Sequence, residues 1–329
     1  MRYGLIALAA LAAAVPARAD DSSAALGAGG IVFTKNTPVR MAAEDLSLSP
    51  QAVRIRFEFQ NATAKDVETI VAFPLPDIDT SEFWGSAIGT VTDDPRNFVG
   101  FKAVVDGKPV QVTVEQRAFV KNKDVTAAVL AAGAPVNPVT DEGYDKLSKL
   151  PRDRQKALIA AGVAQGDSDQ FVPQWTVRTR FWWTQKFPAK KTVVIEHSYQ
   201  PVTGQFFFST QYQKRTDKMG DVDFCFDPAT WATLDARTAK VKQPGAEEAG
   251  SYMNGYQTDY ILKTATNWQG PIGRFHLTLD KLKPDNVISL CWDGELKKTS
   301  PTTFEFTAQN YVPARDIRML VLESAAPIE

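Results

Sequence analysis

The chain has 329 residues, and its 37 basic residues nearly balance its 38 acidic ones, giving a formal net charge of −1 at pH 7. A chain of this length suits about two domains of roughly 100 to 200 residues each. The balanced charge disfavours a protein that holds nucleic acid on a basic surface.

The first residues have the features of a secretory signal peptide. Arg2 supplies a positive charge, residues 4–15 are almost wholly apolar, and Ala17 and Ala19 are the small residues that a signal peptidase reads. The apolar run is shorter than the roughly 20 residues that span a bilayer, and no cysteine follows it that could carry a lipid. We therefore predict cleavage of residues 1–19 near Ala19 and a periplasmic or secreted mature chain without membrane insertion.

Alternating apolar and polar residues predict strands in the first half of the mature chain. Residues 53–60 alternate strictly, and residues 67–73 form a second apolar run that ends at Pro74. Because only a short turn-like segment separates these two runs, we predict that they form a hairpin. Further strands are predicted at residues 30–33, 98–105 and 110–119, with a turn at Asp106 and Gly107 between the last two.

Residues 124–165 change to an alanine-rich, helix-favouring pattern. Pro151 suits the first turn of a helix, and Gly162 suits its end. This segment is predicted to be a helical insertion between strands, with its apolar face packed on the neighbouring sheet.

Strand patterns resume at Trp175. Residues 175–184 and 193–199 are predicted to form another hairpin, joined by a turn at residues 188–191. A short helix is predicted at residues 228–240 and a loop at residues 242–255. Four more strands are predicted, at residues 256–265, 274–279, 287–292 and 303–308.

Many short strands without regular alternation of strand and helix indicate a mainly β protein. We predict two antiparallel β-sandwich-like domains, with the helical insertion in the first. The first domain is placed at residues 20–210 and the second, with one short helix, at residues 211–329.

Cys225 and Cys291 are the only two cysteines, and both lie in apolar, strand-like runs. In an oxidising compartment they are predicted to form a disulfide. The alternative is a pair of buried free thiols. Their spacing matches neither a redox motif nor a zinc site.

No catalytic residue is predicted. A nucleophilic hydrolase needs a base beside its nucleophile, and the chain has two histidines. His197 shares an apolar strand face, which favours a hydrogen-bonded core residue. His276 lies on a polar strand face, which favours a solvated residue.

No metal and no cofactor are predicted. Asp77 with Asp79, and Asp221 with Asp223, could approach one Ca²⁺ ion, but a full calcium-loop pattern is missing. Exposed carboxylates in turns are the favoured interpretation of both pairs.

Trp182 is the candidate binding residue. It falls among the polar side chains of its strand, between Arg180 and Thr184, whereas the neighbouring tryptophans face the other side. Trp182, Arg180 and Thr184 could stack on a sugar ring or anchor a partner protein. The alternative is that the helical insertion covers Trp182.

Several segments, in this order along the chain, resemble a bacterial exported family known as domain of unknown function 4424. They are residues 24–30, 57–61, 72–77, 196–199 and 268–272, followed by Cys291. The resemblance implies an exported β protein and transfers no catalytic residue. More weakly, a strand ending at Asn61 and followed by Phe-Pro-Leu-Pro is similar to the amino-terminal module of inter-alpha-trypsin inhibitor heavy chains, which implies a β-sandwich that makes extracellular contacts.

Three functions are compatible with these features. The first is a non-enzymatic envelope protein that binds a protein or glycan partner. The second is a carboxylate-dependent glycan hydrolase of the envelope, which requires two carboxylates within about 5 to 9.5 Å in one cleft. The third is a structural subunit of an envelope assembly, which predicts a large apolar patch.

Overall fold

The computed structural model describes residues 22–27, 30–34, 37–83, 90–166, 170–210, 224–238 and 252–324. The predicted signal peptide and the Asp221 and Asp223 pair lie outside these residues.

The described residues form a mainly β structure. The strands are β1 (Ser22–Gly27), β2 (Gly30–Phe33), β3 (Val39–Leu48), β4 (Val53–Asn61), β5 (Val67–Pro74), β6 (Ile78–Asp79), β7 (Lys102–Val105), β8 (Lys108–Val110), β9 (Thr113–Val120), β10 (Lys123–Asp124), β11 (Ala164–Gly166), β12 (Phe171–Pro173), β13 (Thr176–Phe187), β14 (Thr192–Tyr199), β15 (Gly204–Phe208), β16 (Met253–Tyr260), β17 (Ile272–Asp280), β18 (Val287–Leu290), β19 (Lys297–Lys298), β20 (Thr303–Tyr311) and β21 (Ile317–Ser324). The helices are α1 (Thr80–Phe83), α2 (Thr126–Ala131), α3 (Asp141–Ser148), α4 (Arg152–Ala160) and α5 (Pro228–Thr238).

Two large sheets provide the framework. The eight-stranded sheet has the order β19-β20-β17-β3-β4-β14-β7-β8. The seven-stranded sheet has the order β10-β9-β13-β5-β1-β2, and β6 also pairs with β13. The described pairings are antiparallel except that β17 runs parallel to β3. The predicted mainly β class with antiparallel sheets is therefore confirmed, with one parallel contact inside the larger sheet.

The two predicted hairpins around residues 61–66 and 188–191 are wrong. β4 belongs to the eight-stranded sheet and β5 to the seven-stranded sheet, and β14 and β13 are divided in the same way. Each turn is therefore a corner at which the chain crosses between sheets. β4 pairs with β14, and β5 pairs with β13, over eight residue pairs each. These longer-range ladders replace the local hairpins because both inner strand faces are apolar and pack against each other.

Asn61 connects the two corners. Its side-chain amide donates hydrogen bonds to the Lys65 and Phe187 carbonyl oxygens at 2.8 and 2.9 Å. Its side-chain oxygen accepts from the Thr63 amide and hydroxyl, and the residue is fully buried. Asn61 thus satisfies the Phe187 carbonyl at one corner and shares the Lys65 carbonyl at the other corner with the Thr63 hydroxyl.

Aromatic side chains from both large sheets meet in the core between them. Phe101 stacks on Phe181 with ring centroids 4.3 Å apart, and Phe73 stacks on Phe101 at 5.2 Å. All three side chains are at most 3% exposed. The odd-numbered residues of β13 face this core, as the sequence pattern predicts.

The helices α2, α3 and α4 lie within the segment predicted as a helical insertion. Pro151 directly precedes α4, and Gly162 adopts a positive φ of 69° just after it, which suits the end of a helix. Trp175 fixes the insertion to the sheet, because its indole nitrogen donates to the Val136 carbonyl oxygen at 2.8 Å.

A four-stranded sheet, β15-β16-β21-β18, and helix α5 lie around a second small core. The predicted disulfide between Cys225 and Cys291 is present, with its Cα atoms 5.0 Å apart. The predicted domain division after residue 210 stays a prediction. Strands from both sides of it share the eight-stranded sheet, where β17 lies between β3 and β20. None of the helices in the described ranges has the length and apolar character that crossing a bilayer requires.

Candidate ligand-binding cleft on the eight-stranded sheet

A cleft of ≈ 320 Å³ lies on the outer face of the eight-stranded sheet. Five neighbouring strands contribute to it, and their outward-facing side chains are mostly polar. These outward-facing residues are Asp45, Ser47, Arg54, Arg56, Lys102, Val104, Glu196, Ser198, His276 and Thr278. Their position follows from strand alternation, because the residues between them, such as Leu46 and Ile55, are buried in the core.

The first row across the cleft combines cations and hydroxyl groups. Strand register places Lys102 of β7 opposite Ser198 of β14, and Ser198 opposite Arg54 of β4. Arg54 is in turn opposite Ser47 of β3, which pairs with Thr278 of β17. Two cations therefore flank one serine, with two further hydroxyl groups beside them.

The second row, two residues along each strand, alternates in charge. Glu196 is opposite Arg56, Arg56 is opposite Asp45, and Asp45 is the partner of His276. Opposite charges on adjacent strands stabilise one another. Within this row Arg56 lies 3.9 Å from Asp45, whereas Glu196 makes no ion pair with a described residue.

Asp45 is the centre of the second row. Arg274 donates two hydrogen bonds to its carboxylate, at 2.7 and 2.8 Å. These bonds hold the pKa of Asp45 below its usual value, with further contributions from the Arg274, His276 and Arg56 charges. Asp45 is therefore an ionised, positioned group, and it does not have the raised pKa of a general acid.

His276 lies between two carboxylates. Its Nδ1 is 3.4 Å from Asp45 Oδ1, and its Nε2 is 3.6 Å from Glu305 Oε2. The side chain is 32% exposed. The sequence predicts its polar face but not its neighbours, because β3 and β20 are far away along the chain.

Arg54 and Lys102 differ from the other cations of this face. Both are exposed, and no ion pair or side-chain hydrogen bond joins either to another residue that the structure describes. In contrast, Arg56 bonds Glu58 at 2.6 Å and Arg274 bonds Asp45. The cleft thus holds two cations whose charges are not neutralised by described neighbours.

Asp45 does not meet one requirement of a glycan hydrolase. The two carboxylates of the cleft, Asp45 and Glu196, are separated by the strand that carries Arg56, so their Cα atoms are about 10 Å apart. A hydrolase of this kind needs one carboxyl with a raised pKa to protonate the leaving group. Asp45 has a lowered pKa, and Glu196 is exposed to solvent.

His197 points away from the cleft. It is 3% exposed, and the rings of Phe57, Phe73, Phe101 and Trp183 surround it at centroid distances of 4.9 to 5.6 Å. Burial lowers the pKa of His197 to about 3, so the imidazole is neutral. The predicted core position of His197 is confirmed, whereas the predicted hydrogen bond of its ring is not shown.

Glu44, which precedes Asp45, also points into the core and was not singled out from the sequence. It is fully buried between Phe57 of β4 and Phe275 of β17 in the strand register. The Tyr260 hydroxyl donates to Glu44 Oε1 at 3.3 Å, and Oε2 has no hydrogen-bond partner in the described part of the chain. Burial raises the pKa of Glu44 to about 8.

The predicted binding residues Trp182, Arg180 and Thr184 lie together on the outer face of β13, in the other large sheet. Trp182 is half-buried and packs in one cluster with Phe33, Ile70 and Ala72. Strand residues, and not the helical insertion, therefore cover it. Their role in binding stays a prediction.

Arg180 is not available as a free charge at that position. It is 8% exposed and forms an ion pair with Glu115 at 2.9 Å. Its guanidinium also lies over the Phe33 ring, 5.5 Å from the centroid. Thr184 is exposed.

The paired aspartates have separate local roles. Asp77 forms an ion pair with Arg178 at 2.9 Å, and Asp79 accepts hydrogen bonds from the Ser81 amide and hydroxyl. Within the described ranges, no three His, Cys, Asp or Glu side chains come together as a metal site would require.

Comparison with solved structures finds a crystal structure of a proposed nutrient binding protein from Legionella pneumophila. It is 14% identical to this chain with a TM-score of 0.39, and the match covers 86% of this chain and 67% of the other. A search of curated proteins finds no match, and none of the comparisons shows the weaker similarity to inter-alpha-trypsin inhibitor heavy chains. The family described as "Domain of unknown function (DUF4424)" matches residues 19–320. The chain belongs to this family.

Proposed function

We propose that this protein is an exported, non-enzymatic binding protein of the cell envelope, and that the cleft on the eight-stranded sheet holds a small polar ligand. The observation that carries the proposal is a cleft of ≈ 320 Å³ lined by hydrogen-bonding side chains from five strands. This volume is within the range of small-molecule sites, roughly 300 to 1,000 Å³. Strand pairing fixes the backbone positions from which these side chains project, which lowers the entropy lost when a ligand binds.

The disulfide supports the exported part of the proposal. Disulfides persist in oxidising compartments such as the periplasm and the extracellular space. The bond between Cys225 and Cys291 fits such a compartment, as do the signal-peptide features of residues 1–19.

Binding is favoured over carboxylate-dependent hydrolysis because Asp45 is suited to keep its charge and not to protonate a leaving group. Asp45 is fixed as an anion by Arg274. The neutral, buried His197 is on the opposite face of the sheet.

A cleft-filling substitution tests the proposal. Ser198→Trp places a large side chain in the cleft, and Thr192→Trp places the same side chain on the same strand face outside it. We expect a ligand from a panel of sugars, organic acids and amino acids to raise the unfolding temperature of the wild type and of Thr192→Trp, but not of Ser198→Trp. A ligand that stabilises all three proteins equally contradicts this position for the site.

A second candidate is contact with an envelope protein or glycan through Trp182. The half-exposed indole beside Phe33 and Ile70 favours it. Because Arg180 is already paired with Glu115, this contact depends on Trp182 and Thr184. Retention of every partner by Trp182→Ala in pull-down experiments contradicts it.

A further inference from the structure

We propose that Arg54 and Lys102 together recognise an acid group, so that the ligand of the cleft is a small organic acid. This inference rests on the proposed function, since it assigns a chemical class to the ligand of the same cleft.

The first argument is the charge balance of the outer sheet face. The two basic side chains beside Asp45 are paired with carboxylates, since Arg56 bonds Glu58 and Arg274 bonds Asp45, whereas Arg40 outside the cleft bonds the neutral Gln60 at 2.7 Å. Arg54 and Lys102 have no such partner among the described residues. Two unneutralised cations near each other repel, and a bound anion relieves that repulsion.

The second argument is geometric. Arg54 and Lys102 lie on either side of Ser198, one strand away in each direction, so their Cα atoms are about 10 Å apart. This separation leaves room for an acid group between the two long side chains. The planar guanidinium can bind two oxygens of a carboxylate, sulfate or phosphate side by side, and the ammonium adds a point charge.

The third argument concerns the groups around that position. The hydroxyls of Ser198 and Ser47 flank Arg54 in the strand register and can donate further hydrogen bonds to the acid group. Glu196, two residues from Ser198 on the same face, is exposed and makes no ion pair with a described residue. It repels a second negative charge and can accept a hydrogen bond from a hydroxyl or ammonium group. The cleft therefore suits an acid group with a hydrogen-bond donor close to it.

The experiment uses the full mature chain labelled for NMR, with sulfate, acetate and glucuronate as anionic probes and glucose as a neutral probe. Ionic strength is held constant with chloride, because exposed charges are sensitive to salt. The signals followed are the Arg54 side-chain Nε–Hε and the Ser198 amide. Variants Arg54→Gln and Lys102→Gln are compared with Arg40→Gln, which removes a cation from the same sheet face outside the cleft.

We expect saturable shifts with all three anions in the wild type and in Arg40→Gln. Each of Arg54→Gln and Lys102→Gln should weaken binding about tenfold or more, because hydrogen bonds to charged groups are strong. Arg54→Lys should bind more weakly than the wild type, because it keeps the charge but loses the two-pronged contact.

Two outcomes overturn the inference in different ways. Saturable binding of glucose alone, equal in the wild type and in both cleft variants, overturns the acid-group assignment and leaves the proposed binding function standing. If the Ser198 signal shows no saturable shift with these probes or with the ligand panel used for the cleft-filling variants, both the acid-group assignment and the proposed binding function are overturned.

Discussion

Glu44 and Asp45 are adjacent in the chain, but their pKa values are shifted in opposite directions. Strand alternation directs Asp45 to the solvated face, where Arg274 stabilises its charge. It directs Glu44 into the aromatic core, where burial raises its pKa from 4.5 to about 8. The unfolded chain returns Glu44 to its ordinary pKa. Between the two values the unfolded chain has released a proton that the folded protein keeps, so rising pH favours unfolding.

Replacement of Glu44 tests whether its raised pKa makes the folded protein less stable as the pH rises. Glu44→Gln keeps the shape of the protonated side chain but cannot ionise. We expect the wild type to lose stability relative to Glu44→Gln by about 1.4 kcal/mol per pH unit between about pH 5 and pH 8, and the difference to level off at higher pH. Urea unfolding of both proteins at unit steps of pH measures the difference. Parallel pH profiles would show that Glu44 ionises in the folded state as readily as in the unfolded chain.

Individual residues of the candidate site could be predicted only in part from the sequence. Alternation correctly placed Arg54 and Arg56 on a polar strand face and His197 in the core. It could not place His276 beside Asp45, because a strand pattern shows which way a side chain points and not which strand lies next to it. The sequence does not predict that Glu44 is buried, because a β-bulge between Met41 and Ala43 shifts the alternation of β3.

At the scale of the elements, the two corners are where the sequence-based fold prediction fails. Most of the predicted strands and the helical insertion lie close to their observed positions, but β3 and β21 are not among the predicted strands. The sequence predicts hairpin turns after β4 and β13, since a short polar segment between two strands looks the same whether the chain reverses within one sheet or crosses to another. The contacts of Asn61 show the difference, because it joins the two crossings through bonds to Lys65 and Phe187.

Asn61→Ala is therefore expected to destabilise the protein. The substitution removes the side-chain donor of the buried Phe187 carbonyl, and an unsatisfied buried group costs about 1 to 3 kcal/mol. The Lys65 carbonyl keeps its hydrogen bond from the Thr63 hydroxyl. Chemical unfolding should show a loss of a few kcal/mol. Asn254→Ala is the matched control, because that side chain makes no hydrogen bond to another described residue. Equal stability of the two variants would contradict the corner role of Asn61.

At the scale of the whole molecule, the disulfide restricts the unfolded chain more than it shapes the folded one. Cys225 and Cys291 are 66 residues apart in sequence, and the segment between them contains β16 and β17. Closing a loop of this length stabilises the folded state by about 4 kcal/mol in the chain-entropy account. We expect the double variant Cys225→Ser, Cys291→Ser to lose up to that amount in urea unfolding. Addition of a reductant should destabilise the wild type equally and leave the double variant unchanged.

The parallel pairing of β3 with β17 also has a consequence for the order in which the molecule is built. During synthesis β3 emerges early, whereas its neighbour β17 emerges more than two hundred residues later. Until then one edge of β3 is open, and open strand edges attract other chains. Contacts between such distant segments also form slowly. The cleft needs both strands, since Asp45 comes from one and His276 from the other, so an incomplete chain lacks one wall of it. Ligand binding at the cleft would consequently report that β17 has joined the sheet.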